Sequence, residues 1–337
     1  MRITVIGGGN IGTLMAAEMA FKGHQVTMYT SCPEIWEKEI EVYDPSDKLL
    51  LKGLLENVTA DAGSAIQRAE MIWITVPAQL FAETAEKICP YIQKGQYIGV
   101  VPGSGGAEFA FREVTERGGI LLGLQRVHSI ARLKERGKSV YMLGRKKELK
   151  LAAIPAGECI GAAGIVESLF DIPCTPLPNY LSVTLTPSNP ILHTTRLYAM
   201  FKEYHEGVIY PRNFLFYEEW DDASSEMLIA CDGELQELCR VIPMDLSAVE
   251  SLCDYYESKT VRAMTQKIRG IQAFKGILSP MKQVAGGWIP DFESRYFATD
   301  FPYGLKIIKD LAAEYGVDTP NINKVWEWYV AALIIVS

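Results

Sequence analysis

The chain is poor in features that would assign it to several common classes. Its 337 residues include only four histidines, and no two of its seven cysteines form a C-x-x-C pair. No histidine stands at zinc-ligand spacing from any cysteine. This excludes a zinc module and a dithiol redox motif, and it suits reduced thiols acting as small buried hydrophobes. A basic excess is also missing. Asp and Glu number 41 against 33 Lys and Arg, for a net charge of -8. Such a chain has no field to attract a phosphate backbone, so nucleic acid is excluded as a partner. No apolar run reaches the ~20 residues of a membrane span. The tail "YVAALIIVS" reads as a buried terminal helix, and "MRITVIGGG" enters a strand at once, so no secretory leader is expected. Internal repeats and low-complexity tracts are absent. What these absences leave is a cytoplasmic, metal-free globular protein, and the length favours about two domains.

The most informative stretch is "MRITVIGGGNIGTLMAAEMAFKGHQVTMYT". Ile3, Val5 and Ile6 read as a buried parallel strand. Gly7, Gly9 and Gly12 then supply G-x-G-x-x-G, followed by a helix ending near Gly23 and by the strand "QVTMYT". The order has a physical reason. Gly7 allows the turn, Gly9 lets the backbone approach a pyrophosphate, and Gly12 lets helix and strand pack closely. The helix start, with Asn10 and Ile11, offers free N–H groups and the positive dipole end. The pattern predicts a dinucleotide-binding Rossmann domain.

At the end of the second strand, NAD-preferring sites carry Asp or Glu for the ribose 2′-OH. Here Thr30 and Ser31 occupy that point. Small hydroxyls accommodate a 2′-phosphate, which gives NADP a mild preference over NAD, with Glu34 as the alternative ribose ligand. Strand and helix continue to alternate through "EMIWITVP", "QLFAETAEKICPYI" and "QYIGVVPGSGG". Val76–Pro77 and Pro102–Gly103 end strands on the carboxyl edge and are expected at the nicotinamide end. His128, among Arg126, Arg132 and Lys134, reads as a solvated polar edge, and His24 and His205 as solvated or capping residues.

Prolines 173, 176, 178, 187 and 190 mark the clearest change of composition. The boundary falls there, giving a Rossmann domain over 1–180 and a helical domain over 181–337. In "SNPILH", Ser188 or Asn189 can cap a helix and Pro190 suits its first turn, which puts His193 near the helix start. In "ESRYFATDFPYGL", Arg295 and Asp300 flank a short aromatic segment before another helix. The aromatics Phe214, Phe216, Tyr217 and Trp220 read as core or interface.

These two motifs, in this order after a Rossmann unit, resemble the octopine/nopaline (opine) dehydrogenase family. Its Asn-Pro-x-x-His pattern is matched by Asn189-Pro190-Ile191-Leu192-His193. Its Arg and Asp, five apart before Pro-x-Gly-Leu, are matched by Arg295, Asp300 and "PYGL". The resemblance implies a doubly wound α/β domain followed by an all-α domain of the 6-phosphogluconate-dehydrogenase-like type, and a homodimer through the helical domain is a separate expectation. It implies a reductive condensation of an amino acid with a 2-oxo acid such as pyruvate, using NAD(P)H. His193 would be the acid/base, Asp300 its partner, and Arg295 with Asn189 would hold substrate. Imidazole suits the first role because it exchanges protons near neutral pH. A guanidinium suits the second because it holds a carboxylate bidentately. Two alternatives stand beside this one. A 2-dehydropantoate-reductase-like enzyme would need a catalytic lysine, for which Lys202 is a candidate. A nucleotide-binding sensor would keep the platform and lack the chemistry.

Overall fold

In the computed structural model, residues 1–336 are described, with side chains for 1–334. Contacts divide the chain into two compact units, Met1–Thr184 and Leu185–Ser337.

The first unit is built on an eight-stranded sheet. In chain order its strands are β1 (Arg2–Ile6), β2 (Gln25–Tyr29), β5 (Asn57–Thr59), β6 (Met71–Ile74), β7 (Tyr97–Val100), β8 (Ile120–Leu124), β11 (Leu149–Ile154) and β12 (Cys174–Pro176). In space they run β12-β11-β8-β7-β6-β1-β2-β5. Every pairing is parallel except β8 with β11. Strands covered on both faces must be apolar throughout, and all four residues of β6 are buried. The order reverses beyond β1, which puts the crevice for a ligand at the carboxyl ends there. Helix α1 (Asn10–Phe21) joins β1 to β2, and α2 (Phe81–Ile88) follows β6 with Phe81, Ala85 and Ile88 buried. Helix α3 (Cys159–Phe170) joins β11 to β12.

A second sheet of four strands was not foreseen. It comprises β3 (Glu39–Tyr43), β4 (Leu49–Leu54), β9 (Ser129–Glu135) and β10 (Ser139–Arg145), in the order β4-β3-β10-β9. It joins two local hairpins, β3–β4 and β9–β10, through parallel pairing of β3 with β10, where Glu41 meets Ser139 across a separation in sequence beyond the reach of local periodicity.

The second unit is mainly helical: α4 (Ser188–Phe201), α5 (Asp222–Val241), α6 (Val261–Gly270), α7 (Lys306–Glu314) and α8 (Pro320–Val336). It also holds a hairpin, β13 (Met281–Val284) with β14 (Gly287–Pro290), so it is not purely α. The stretch "LSAVESLCDYY" makes only one turn, Leu252–Tyr255. The apolar tail forms a helix that buries one stripe. Tyr329 and Ala332 are inside, whereas Ile334 is 74% exposed, and Ser337 lies outside the described residues. A 3.6-residue period allows no more than that against a single neighbour surface. All seven cysteines are free, and Cys89, Cys159, Cys174 and Cys231 are buried.

Candidate active site

In the first unit, Ile6, Gly7, Gly9, Tyr29, Thr30, Ser31, Val76 and Pro77 line one cavity of about 840 Å³. The glycines are needed for steric reasons. Gly7 has φ +105°, and a Cβ on Gly12 would stand 1.9 Å from the Gly7 carbonyl oxygen. Helix α1 starts at this turn with Gly9 as its N-cap, and no side chain caps its first N–H groups, although Asn10, Ile11 and Gly12 themselves are not among the lining residues. These features fit a pyrophosphate. The Asn10 side chain does something else: its Oδ1 accepts from the Leu133 N–H at 2.9 Å and ties β9 to the glycine turn. Gly103 is not among the lining residues. It is buried, and a Cβ there would meet Gly123 Cα at 2.5 Å. Its role is close packing behind the strand ends.

Five charged or polar groups line the same cavity and were missed: Thr75, Glu83, Thr84, Lys87 and Arg136. Arg136 comes from the turn between β9 and β10, which is pinned by the Glu37 N–H donating to the Gly137 carbonyl at 3.0 Å. Sequence proximity to Thr30 could not reveal it, because it arrives through the second sheet. Glu34 does not line the cavity.

His128 is fully buried, not a solvated edge. Its Nε2 lies 2.7 Å from Glu18 Oε2 on α1, and Arg145 bonds the other Glu18 oxygen. Burial works to raise the Glu18 carboxyl, but the His128 bond and the His128 and Arg145 charges outweigh it, so it sits below its ordinary value. The basic neighbours in sequence misled because Arg132 and Lys134 are exposed, whereas the His128 ring turns inward to Glu18 and Phe170.

In the second unit the two sequence motifs meet. His193 is 5% exposed and Asp300 4%. His193 Nδ1 is 2.8 Å from Asp300 Oδ2, and its Nε2 is 2.8 Å from the Tyr217 hydroxyl. A carboxylate only accepts, so the ring hydrogen sits on Nδ1 and the phenol donates to Nε2. The ring lies 4.7 Å from the Tyr296 ring, with Phe216 edge-on at 5.7 Å.

Local structure explains the meeting. Helix α4 begins one residue earlier than the capping reading required. Pro187 is the N-cap, no side chain caps it, and Ser188 and Asn189 lie inside the first turn. Pro190 lacks an N–H, so one orphan donor of that turn is absent. His193 is thereby about one turn into the helix. Residues Phe301–Leu305 form a wide turn, with the Leu305 N–H donating to the Asp300 carbonyl at 2.9 Å. Gly304 lets this turn touch α4, since a Cβ would stand 2.9 Å from Pro190 Cγ. The "PYGL" glycine thus fixes the approach that brings Asp300 to His193. Arg295 is exposed, with its guanidinium carbon 5.6 Å from the Tyr296 ring centroid. Because Asp300 is buried against His193, the two do not form a plain surface ion pair.

Comparison with known proteins agrees with this fold. Residues 176–333 match the model of the NAD/NADP octopine/nopaline dehydrogenase alpha-helical domain. Residues 2–105 match the NAD-dependent glycerol-3-phosphate dehydrogenase N-terminus. Octopine dehydrogenase of Pecten maximus is 26% identical over 97% of this chain and 89% of its own length. These matches support the opine dehydrogenase family for this chain. Tauropine dehydrogenase of Arabella iricolor is 25% identical over 97% of this chain and 90% of its own. An octopine dehydrogenase structure with NADH and L-arginine has the same fold, with a TM-score of 0.86 at 24% identity over 99% of this chain and 89% of its own. No helix among the described residues is long and apolar enough to cross a membrane. Within an opine dehydrogenase fold, the feature the sequence reading undervalued is Tyr217. Its aromatic neighbours Phe216 and Trp220 are core, as expected, but its hydroxyl is in contact with the candidate acid/base.

Proposed function

We propose that this protein is an NAD(P)H-dependent opine dehydrogenase, an oxidoreductase that condenses an amino acid with a 2-oxo acid such as pyruvate and reduces the resulting imine. The observation that carries this reading is the buried His193–Asp300 pair, reached by two separate motifs, with an exposed Arg295 five residues before Asp300. Names of full-length relatives, octopine and tauropine dehydrogenases, support the reaction class.

The chemistry asks the protein to move protons. An amino acid arrives as an ammonium and must lose a proton before its nitrogen attacks the oxo carbon. The carbinolamine hydroxyl must then gain one to leave as water. When bound, the nicotinamide nucleotide supplies the hydride to the imine carbon. His193 takes the first proton and returns it in the second step, so one residue serves as base and then acid. Asp300 holds the ring in the Nδ1–H tautomer and stabilises the imidazolium formed in between. Arg295 holds the oxo-acid carboxylate, and Asn189, half-buried in the first turn of α4, is placed to contact substrate. For the nucleotide, the Thr30 and Ser31 hydroxyls with Arg136 and Lys87 in one cavity favour a 2′-phosphate, hence NADP. Lys202, the candidate for a reductase without amine, is exposed at the end of α4.

The test is oxidation of NADPH and NADH with pyruvate, with and without a panel of amino acids. Turnover that needs both substrates is expected. Turnover with the oxo acid alone would move the protein to the simple reductases, and tight nucleotide binding without turnover to the sensors.

A further inference from the structure

The nucleotide cavity has its acidic group in an unusual place. Strand β2 ends at Tyr29 and is followed by Thr30 and Ser31, so no carboxylate stands where a ribose 2′-OH is ordinarily held, and Glu34 lies outside the lining. The lining nevertheless carries one carboxylate, Glu83, and two cations, Lys87 and Arg136. Glu83 and Lys87 come from α2, the helix after β6.

Helix geometry brings this pair to the cavity. The lining residues Leu80, Glu83, Thr84 and Lys87 recur at the three- and four-residue spacing of one helix face, beside the stripe of Phe81, Ala85 and Ile88 that α2 buries. Glu83 precedes Lys87 by four positions, the favourable order for a pair on a helix surface. Lys87 Nζ is 2.5 Å from Glu83 Oε1, and the two side chains are 55% and 56% exposed. The Glu83 bond and charge hold the Lys87 ammonium above its ordinary value, and Tyr29 pushes the same way. Lys87 is therefore within electrostatic range of the residue that closes β2, where a Rossmann domain places the adenosine ribose. An ion pair this exposed is weak, so a ligand that offers either partner a better bond takes it apart.

We propose that Glu83 sets the nucleotide preference of this protein by exchanging Lys87 for the nucleotide. Glu83 accepts from the ribose 2′-OH of NADH, in place of the acidic residue missing after β2. Lys87 leaves Glu83 for the 2′-phosphate of NADPH, where Arg136 joins it, and the Glu83 carboxylate, now unpaired, opposes the phosphate charge. This rests on the NAD(P)H reading of the cavity and deepens it. Thr30, Ser31, Lys87 and Arg136 favour NADP, and Glu83 limits that preference, so one cavity takes both nucleotides.

The experiment is calorimetric titration of wild type, Glu83→Gln and Lys87→Met with NADH and with NADPH, without amino acid or oxo acid. The quantity read is the ratio of the Kd for NADH to that for NADPH. Glu83→Gln keeps the shape of the side chain and removes its charge. The ratio should rise about tenfold, from weaker NADH and tighter NADPH binding. Lys87→Met removes a phosphate partner and should lower the ratio about tenfold. Both side chains are exposed, so thermal midpoints should stay within about 2 °C of wild type. A Glu83→Gln ratio within about twofold of wild type overturns the proposal, even where both affinities fall, because a contact with the shared adenosine part moves both equally. A wild type that binds neither nucleotide rejects the reading of the cavity, and the proposal with it. Failure of the opine reading shows separately, as no turnover on any substrate pair, and the binding ratio still judges Glu83.

Discussion

The molecule holds two buried histidine–carboxylate pairs of nearly the same length, His128–Glu18 at 2.7 Å and His193–Asp300 at 2.8 Å. They differ at the other ring nitrogen and at the other carboxylate oxygen. His128 Nδ1 is buried with no hydrogen-bond partner, the Glu18 carboxylate is neutralised by Arg145, and the His128 ring lies 4.5 Å from Phe170. This arrangement ties α1 to β10 and to the end of α3, where Arg145 also bonds the Phe170 carbonyl. His193 has a hydroxyl on its second nitrogen, and Arg295 follows the same loop to the surface. A short histidine–carboxylate contact is therefore not a sign of catalysis by itself. What matters is whether the second nitrogen leads to a group that can exchange protons.

The comparison can be broken by substitution. His193→Ala should lower kcat by about 10²- to 10⁴-fold, and Asp300→Asn should lower it too, with the circular-dichroism spectrum retained. Glu18→Ala should act in the opposite domain of behaviour. It strands a buried histidine and costs about 3 kcal/mol of stability in urea unfolding, near the low end for breaking a buried pair because Arg145 is one-third exposed. The kcat of the remaining folded protein should be unchanged. If Glu18→Ala removes turnover without loss of stability, the two pairs are not different in kind.

A third carboxyl sharpens the contrast. Burial pushes Glu108 up to about 7 despite the hydrogen bond it accepts from the Thr184 hydroxyl, and its Oε2 is buried without a partner. A raised carboxyl binds protons in the folded state that the unfolded chain has released. Its contribution is present below about pH 4.5 and is lost as pH rises toward 7. Glu18, lowered, contributes above the unfolded value and loses its contribution as pH falls through the folded one. Glu108→Gln should thus flatten the decline between these limits and gain up to about 3 kcal/mol at pH 8, measured by urea unfolding across pH. A decline that is unchanged in the variant would refute the assignment. The smallest expected effect is at the nucleotide cavity. Arg136→Ala should raise KM for NADPH about tenfold and leave KM for NADH nearly unchanged.

Much of this was legible early for a physical reason. The strand–glycine–helix pattern at residues 1–30 is local, and local sequence decides whether a chain can make that turn. The two chemical motifs were legible as types, because imidazole, carboxylate and guanidinium in those contexts have few uses. The cap expected at Ser188 or Asn189 failed, since Pro187 starts the helix without one. His128 was misread because its sequence neighbours are basic while its spatial neighbours are Glu18 and Phe170. Tyr217 and Arg136 were missed because an aromatic in a run of aromatics, or an arginine in a charged turn, carries no label.

Sequence by itself determined the order of the two domains, the nucleotide turn and the identity of the groups able to move protons. These depend on backbone sterics and side-chain chemistry, which travel with each residue. Tertiary structure alone decided that Asp300 meets His193 across 107 positions, that Tyr217 closes the other nitrogen, and that Glu18, not solvent, receives His128. Those outcomes depend on distance in space, and packing sets that distance through contacts as particular as Gly304 against Pro190.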